Sequence, residues 1–201
     1  MHSLFHYLAT QHAEEFAPVR CNEQTLSRLV RYFEDVVTEN RLPALVLKGQ
    51  CLSGNIEREN KRLAKLCSIA SQVYLFSCKK DCETRNWHPL PFPKLNNLED
   101  SDYHHTETGP FVLILSDRFC GLLLSRELIE ESTLPVKTYE MMWSFDANVV
   151  FTAIEYLMSR ISVQYPQELD QFETLLNNSS PNKISWKLGF SLTTKTGTTG
   201  T

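Results

Sequence analysis

The chain has 201 residues, of which 42% are hydrophobic, and its formal net charge is −4 with both signs interspersed. This length and apolar content fit one domain with a sizeable core, and the mixed charge excludes a basic face for DNA or a polybasic membrane patch. No apolar run approaches the roughly 18 to 20 residues of a membrane span, and the first residues do not resemble a signal peptide, so we expect a cytoplasmic protein.

Apolar residues at the amino end predict a short helix within an extension that covers residues 1–21, which Pro18 interrupts. The apolar surface of this helix has two interpretations. It either joins two copies of the chain as a homodimer or folds back onto its own domain. The residues concerned are Leu4, Phe5, Tyr7, Leu8 and Phe16.

A second helix is predicted from Asn22, whose side chain suits an N-cap, to about Thr38. Its apolar positions recur at three- and four-residue steps and form one buried stripe: Leu26, Leu29, Val30, Phe33, Val36 and Val37. The charged residues between them are expected mostly on the solvent-exposed side: Arg28, Arg31, Glu34 and Asp35.

The next part of the chain predicts a strand at 44–47, a helix over 55–71 and a strand in the segment QVYLFS. This succession suggests a βαβ crossover. Residues 79–109 then lose periodicity, which is typical of a long functional or disordered loop. Cysteines and histidines in and beside this segment could in principle form a zinc site. The motif CKKDC is not accompanied by a second pair of ligands with metal-binding spacing, however, so we predict no metal. Its candidate ligands are Cys78, Cys82, His88, His104 and His105.

Two apolar runs at 110–115 and 121–124 flank the turn formers Ser116, Asp117 and Gly121, and this pattern predicts a β-hairpin. An antiparallel hairpin added to a βαβ unit gives a mixed sheet with helices packed on it. The predicted fold class is therefore α/β, with the general layout of GAF- and PAS-like sensory modules.

The segment 139–161 predicts an extended lead-in followed by one amphipathic helix, which Ser144 or Asp146 caps. Trp143 and Phe145 alternate in the lead-in, and we expect both rings to be buried where they attach the helix to the sheet. The predicted sensory domain then covers 22–163. A helix follows within 164–180, and the Thr/Gly-rich tail at 181–201 is expected to be largely disordered.

Together these segments resemble the DICT sensory domain, a bacterial module that occurs beside diguanylate cyclases and two-component proteins and often stands alone in cyanobacteria. The resemblance covers about 26–161. It rests on SRLVRYFEDVV, PALVLKGQ, QVYLFS, GPFVLILSDRFCGLLLSREL and YEMMWSFDANVVFTAIEYL. Its most specific points are Glu34, Asp35, the leucines at 122–124, Trp143, Phe145 and Asp146. The resemblance implies a sensory role and none of these residues forms a catalytic signature.

The sequence lacks GGDEF, EAL, Walker, GxSxG and GxGxxG motifs, so we predict neither an enzyme nor a bound cofactor. The family context implies cyclic di-GMP as ligand, and arginines and aromatic rings are the groups that bind guanine edges, guanine faces and phosphates. The candidate ligand-binding residues are Arg58, Arg62, Arg118, Arg126, Trp143, Phe145 and Asp146. A two-fold ligand would suit a homodimer that signals to a partner regulatory protein. The alternative is an adaptor that binds proteins and no small ligand.

Overall fold

The computed structural model describes residues 3–50, 56–77, 92, 94–99, 109–128, 137–166, 170, 173, 174 and 176. Within these residues the helices are α1 (Leu4–Gln11), α2 (Glu23–Glu39), α3 (Ile56–Ile69) and α4 (Ala147–Gln164). The strands are β1 (Val19–Asn22), β2 (Leu45–Gln50), β3 (Gln72–Ser77), β4 (Leu95–Glu99), β5 (Phe111–Leu115), β6 (Cys120–Leu128) and β7 (Thr138–Ser144).

All seven strands form one mixed sheet in the order β1-β7-β6-β5-β2-β3-β4. Strands β2, β3 and β4 run parallel, whereas β2–β5, β5–β6, β6–β7 and β1–β7 are antiparallel pairs. The predicted βαβ crossover is confirmed, since α3 connects the adjacent parallel strands β2 and β3. The hairpin is also confirmed, with Leu115 opposite Cys120 at its turn. The predicted α/β fold class is therefore correct.

The helices cover both faces of the sheet, so the central strands are buried on two sides. Leu45 and Leu47 of β2 face the core that α1 and α4 complete, while Val46 faces the core beneath α2 and α3. Burial on both faces explains the continuous apolar runs of β2 and β5, because each successive side chain enters one core or the other.

The amino-terminal helix α1 packs onto its own sheet. Leu4, Phe5 and Leu8 are at most 2% exposed, and Tyr7 lies against Tyr156 of α4 with ring centroids 5.1 Å apart. The interpretation that this helix folds back onto its own domain therefore describes the structure. Its buried stripe is used inside the chain and is not available as a surface for a second copy.

Two edge strands were not predicted from the sequence. Strand β1 has only four residues and is mostly exposed, and β4, LNNLE, carries the Asn residues that are rare in strands. Both are held by a longer neighbour, β7 and β3 respectively. Short edge strands of this kind take their conformation from the strand beside them and leave little alternating pattern in the sequence.

Several predictions fall outside the described residues. They include the candidate zinc ligands Cys78, Cys82, His88, His104 and His105, most of the loop 79–109, most of the helix within 164–180 and the tail 181–201. Among the described cysteines, burial raises the pKa of Cys67 to about 11, so this thiol stays protonated at neutral pH. No helix in the described ranges has both the length and the apolar content that a membrane crossing requires.

Candidate functional site

Helix α2 buries an acidic residue against the sheet, contrary to the prediction that Glu34 faces solvent. Glu34 shares the inward face with Val30, Phe33 and Val37, and its side chain is 5% exposed. Lys48, in β2, points from the sheet to the same side and is 7% exposed. A buried charge is tolerated only when it is paired, and these two residues form the pair.

Glu34 belongs to a buried charge cluster, which we define as Glu34, Asp35, Lys48 and Arg62. The Lys48 ammonium donates to Glu34 Oε1, and Arg62 Nε donates to Glu34 Oε2 at 3.0 Å. Arg62 Nη2 also donates to Asp35 Oδ1 at 3.0 Å and to the carbonyl oxygen of Arg31 at 3.1 Å. Arg62 therefore fastens α3 to α2, and both carboxylate oxygens of Glu34 are satisfied.

The ion pairs of the cluster favour the charged forms of Glu34 and Arg62. Burial is the largest influence on Glu34 and disfavours its charge, but the Lys48 ammonium and the Arg62 guanidinium together outweigh it and lower the pKa of Glu34. Burial likewise opposes the charge of Arg62, whereas Glu34 and Asp35 raise the pKa of Arg62 overall. The Glu34 carboxylate and the Arg62 guanidinium thus stay charged at neutral pH.

A cleft opens beside this cluster between α2, the start of α3 and the sheet, and we call it the α2–α3 cleft. It encloses about 540 Å³ including its open mouth. Lys48 and Glu34 line it, and Arg31 meets Glu59 across it at 3.4 Å. The full lining is Glu23, Leu26, Ser27, Val30, Arg31, Glu34, Lys48, Gly49, Glu59, Pro110 and Tyr139.

Aromatic side chains cluster at the carboxyl end of β5, where the β5–β6 turn meets the connection from β7 to α4. The ring of Phe145 stacks on Phe33 at a centroid distance of 5.7 Å and contacts Phe119 at 5.8 Å. Gly121 leaves room for these rings, because a Cβ there would lie 3.0 Å from Phe119 and 3.1 Å from Phe33. The arrangement holds Phe145 in place although it is 56% exposed.

Trp143 is 45% exposed, so the prediction that Trp143 and Phe145 are both buried is wrong. Trp143 lies opposite Leu123 in the sheet, near the end of β7. Helix α2 covers Tyr139 and Met141 on the same face of β7 but leaves the ring of Trp143 partly open to solvent. Two large aromatic faces are thus presented at one end of the sheet.

Four of the seven predicted ligand-binding residues belong to these segments. Trp143, Phe145 and Asp146 lie at the junction of β7 and α4, and Arg118 lies in the β5–β6 turn beside Phe119, whose ring contacts Phe145; we call these four residues the end patch. The Arg118 side chain is 81% exposed, and its ion pair with Asp117 at 3.5 Å is fully solvated and weak. Asp146 is the predicted helix cap, and its Oδ1 accepts from the amide of Asn148 at 2.7 Å. The thiol of Cys120 also contacts the carbonyl oxygen of Phe145 at 3.4 Å, which links the turn to the helix start.

The other three predicted residues lie elsewhere. Arg58 is exposed on α3. Arg62, one turn later on the same helix, is not on the exterior, because it is 23% exposed and bound to the acidic residues of α2. Arg126 lies on the opposite face of the sheet, where it pairs with Glu140 and its guanidinium carbon is 5.0 Å from the centre of the Phe5 ring. The seven residues therefore do not form one site.

The α2–α3 cleft contains functional candidates that were not predicted from the sequence, notably Lys48 and Glu59. A signal for Lys48 is present, because it is a charged residue that directly follows the apolar run of a core strand and so requires a buried partner. Glu59 gives no such signal among the other charges of α3. The part of the chain that the structure describes contains no group of three His, Cys, Asp or Glu side chains placed to hold a metal ion.

Comparison with protein families gives a match to the DICT model, described as a sensory domain in diguanylate cyclases and two-component systems, over residues 2–128. The match begins earlier than the expected 26–161 and includes α1, and it ends with β6, before Trp143. Searches of curated proteins and of solved structures give no match. Because the family model covers more than half of the 201 residues, the chain belongs to the DICT family of sensory domains found in signalling proteins.

Proposed function

We propose that this chain is a non-enzymatic signalling protein that binds cyclic di-GMP at the end patch and relays the bound state to a partner regulatory protein. The observation that carries the proposal is the pair of half-exposed aromatic rings, Trp143 and Phe145, together with the exposed Arg118 side chain in the β5–β6 turn, whose next residue, Phe119, contacts Phe145. The family description adds support, because diguanylate cyclases synthesise cyclic di-GMP.

The chemistry of guanine fits these residues. A guanine face stacks on an exposed aromatic ring, and each base stack of this kind contributes about 1 to 3 kcal/mol. Arg118 offers a fork of donors to the O6 and N7 acceptors of the base or to a phosphate. Asp146 uses one oxygen as a helix cap, which leaves its second oxygen to accept from the amino group of guanine.

The other arginines contribute less to this proposal. Arg62 and Arg126 already have carboxylate partners in the chain, so a ligand would have to replace an existing ion pair. Signal relay has a short path from the end patch, because Phe145 stacks on Phe33 and Phe33 is the neighbour of Glu34 in α2. A ligand that shifts Phe145 therefore bears directly on the helix that carries the buried charge cluster.

Calorimetric titration of the full chain with cyclic di-GMP tests this proposal. We expect binding to weaken at least tenfold, or by about 1.4 kcal/mol, in Trp143→Ala and in Arg118→Ala. Tyr32→Ala is the matched control, because Tyr32 is an aromatic residue of α2 that is 67% exposed and lies outside the end patch. A stoichiometry of one ligand for two chains would indicate the two-fold homodimer.

Cyclic di-AMP and GTP serve as comparison ligands, and cyclic di-GMP is expected to bind more tightly than either. Absence of binding heat for cyclic di-GMP would reject the receptor proposal. Tight binding that survives both substitutions would support a receptor function but would show that the ligand does not bind at the end patch. Turnover of any of these nucleotides during incubation would contradict the non-enzymatic part.

The adaptor function is the second candidate, and the same exposed rings favour it. Trp, Tyr and Arg dominate the energetics of protein interfaces, so Trp143 and Arg118 would serve equally as contacts for a partner protein. This candidate predicts no heat with any of the three nucleotides. It also predicts that Trp143→Ala abolishes copurification of a partner that wild-type protein retains.

A further inference from the structure

The floor of the α2–α3 cleft contains a cation with unused hydrogen-bonding capacity. Lys48 is 7% exposed, and its ammonium makes one hydrogen bond, to Glu34. An ammonium has three donors, so two N–H groups of this buried lysine have no acceptor among the residues that the structure describes. The second oxygen of Glu34 accepts from Arg62 and not from Lys48.

A second cation of the cleft is also poorly satisfied. Arg31 reaches Glu59 at 3.4 Å, which is long for a charge-assisted hydrogen bond. Its Nε is buried and has no hydrogen-bond acceptor within the described part of the chain. An unsatisfied buried donor costs about 1 to 3 kcal/mol, so rotation of this guanidinium toward an incoming carboxylate would be favourable.

The charges around the cleft decide which ligand can enter. Three carboxylates, of Glu23, Glu34 and Glu59, line it together with the two cations, Arg31 and Lys48. The excess of negative charge disfavours a phosphate or a dicarboxylate. A plain amine would leave Lys48 and Arg31 unsatisfied. A zwitterion avoids both problems, because its carboxylate replaces Glu59 as the partner of Arg31 and its ammonium binds the Glu59 carboxylate that is released.

From this arrangement we infer that the α2–α3 cleft binds a free α-amino acid, with the carboxylate directed to Lys48 and Arg31 and the ammonium to Glu59 at the rim. The apolar part of the lining, from Leu26, Val30 and Pro110, would receive a small aliphatic side chain. The cleft lies at the start of β5, whereas Phe145 and Arg118 of the end patch lie at the β5–β6 turn, beyond the other end of β5. The amino acid would therefore be a second input to the sensory domain, independent of cyclic di-GMP.

The test uses the full chain with L-alanine, L-valine and L-leucine as probes, followed by calorimetry and by the melting temperature. At least one of them is expected to bind with measurable heat and to raise the melting temperature as its concentration increases. The N-acetyl and the carboxamide derivatives of the same amino acid each lack one charge, and both are expected to bind at least tenfold more weakly. Equal binding of either derivative would overturn the inference, as would the absence of heat with all three probes.

A pair of variants on α3 locates the site. Glu59→Gln removes the proposed partner of the ammonium and is expected to weaken amino-acid binding at least tenfold. Glu57→Gln is the matched control, because Glu57 is on the same helix, is 75% exposed and pairs only with Lys61 among the contacts described. Circular dichroism and the melting temperature of both variants report whether the fold is retained. Unchanged amino-acid binding in a folded Glu59→Gln variant would show that the amino acid does not bind in this cleft.

Discussion

The buried charge cluster and the end patch reverse the usual distribution of residue types between the interior and the surface of a protein. Glu34 and Lys48 are 5% and 7% exposed, whereas Trp143 and Phe145 are 45% and 56% exposed. Both regions lie on the α2 side of the sheet. Burial in these two regions therefore depends on which element packs against each side chain and not on the polarity of the side chain alone.

The two regions also have different energetic roles. Desolvation of Glu34, Lys48 and Arg62 is costly, and the ion pairs between them offset it only while all the partners are present. The end patch contributes less to folding, because roughly half of each large ring stays in water. The match to the DICT family covers the whole charge cluster and stops before Trp143 and Phe145. Stability therefore depends mainly on the first region, and recognition is proposed for the second.

Removal of the central carboxylate should have the largest effect on stability. In Glu34→Ala the Lys48 ammonium is left buried without a partner, and we expect a loss of about 3 to 5 kcal/mol in the free energy of unfolding. Denaturation by urea measures this loss. Glu39→Ala is the control, because Glu39 is exposed at the end of the same helix and should change stability by less than about 0.5 kcal/mol. A comparable loss in the two variants would show that the cluster has no special role.

Arg62→Ala should come next. The substitution removes the hydrogen bonds to Glu34, Asp35 and the carbonyl of Arg31, and bonds of this charged type are worth about 1.5 to 3 kcal/mol in net terms. We expect a loss in that range by chemical denaturation. Lys65→Ala, at an exposed position of the same helix, should stay within about 0.5 kcal/mol of wild type. Equal stabilities of the two variants would contradict the stabilising role of the bonds from Arg62 to α2.

Much of the fold was predictable because its signals are local. Asn22 caps α2, accepting from the amide of Thr25 at 2.9 Å, and the periodicities of α2, α3 and α4 follow from single faces of each helix. The hairpin follows from turn formers between two apolar runs. By contrast β1 and β4 depend on a neighbouring strand distant in sequence, and no local pattern reports such a neighbour.

The candidate sites were less predictable for the same reason. A helical pattern shows that Glu34 shares a face with Val30 and Val37, but only the position of Lys48 in β2 explains why a carboxylate belongs there. Arg58 and Arg62 lie on one helix, but their spacing does not show that the acidic residues of α2 bind Arg62. Trp143 extends beyond the area that α2 covers, and the residues around Trp143 do not predict how far a neighbouring helix covers the sheet.

Acid should weaken the charge cluster selectively. Because the pKa of folded Glu34 lies below its ordinary value of 4.5, the stability from this carboxylate is present above that pH and is lost as the pH falls through the folded pKa. One proton changes the free energy of unfolding by at most about 1.4 kcal/mol per pH unit. Urea denaturation of wild type and Glu34→Gln between pH 7 and pH 3 measures this dependence. The stability difference between them should shrink below about pH 4.5, and a difference that stays constant to pH 3 would contradict the assignment.

The smallest effect on stability is expected at the end patch. Complete burial of a tryptophan would make its replacement by Ala cost about 3 to 5 kcal/mol, but at 45% exposure we expect Trp143→Ala to cost about 1 to 2 kcal/mol. Leu123, directly opposite in β6 and 1% exposed, is the matched comparison, and Leu123→Ala should cost about 2 to 5 kcal/mol. The order of the two losses in urea denaturation is decisive. If Trp143→Ala costs as much stability as Leu123→Ala, Trp143 belongs to the core, and this result would contradict its proposed role in ligand binding.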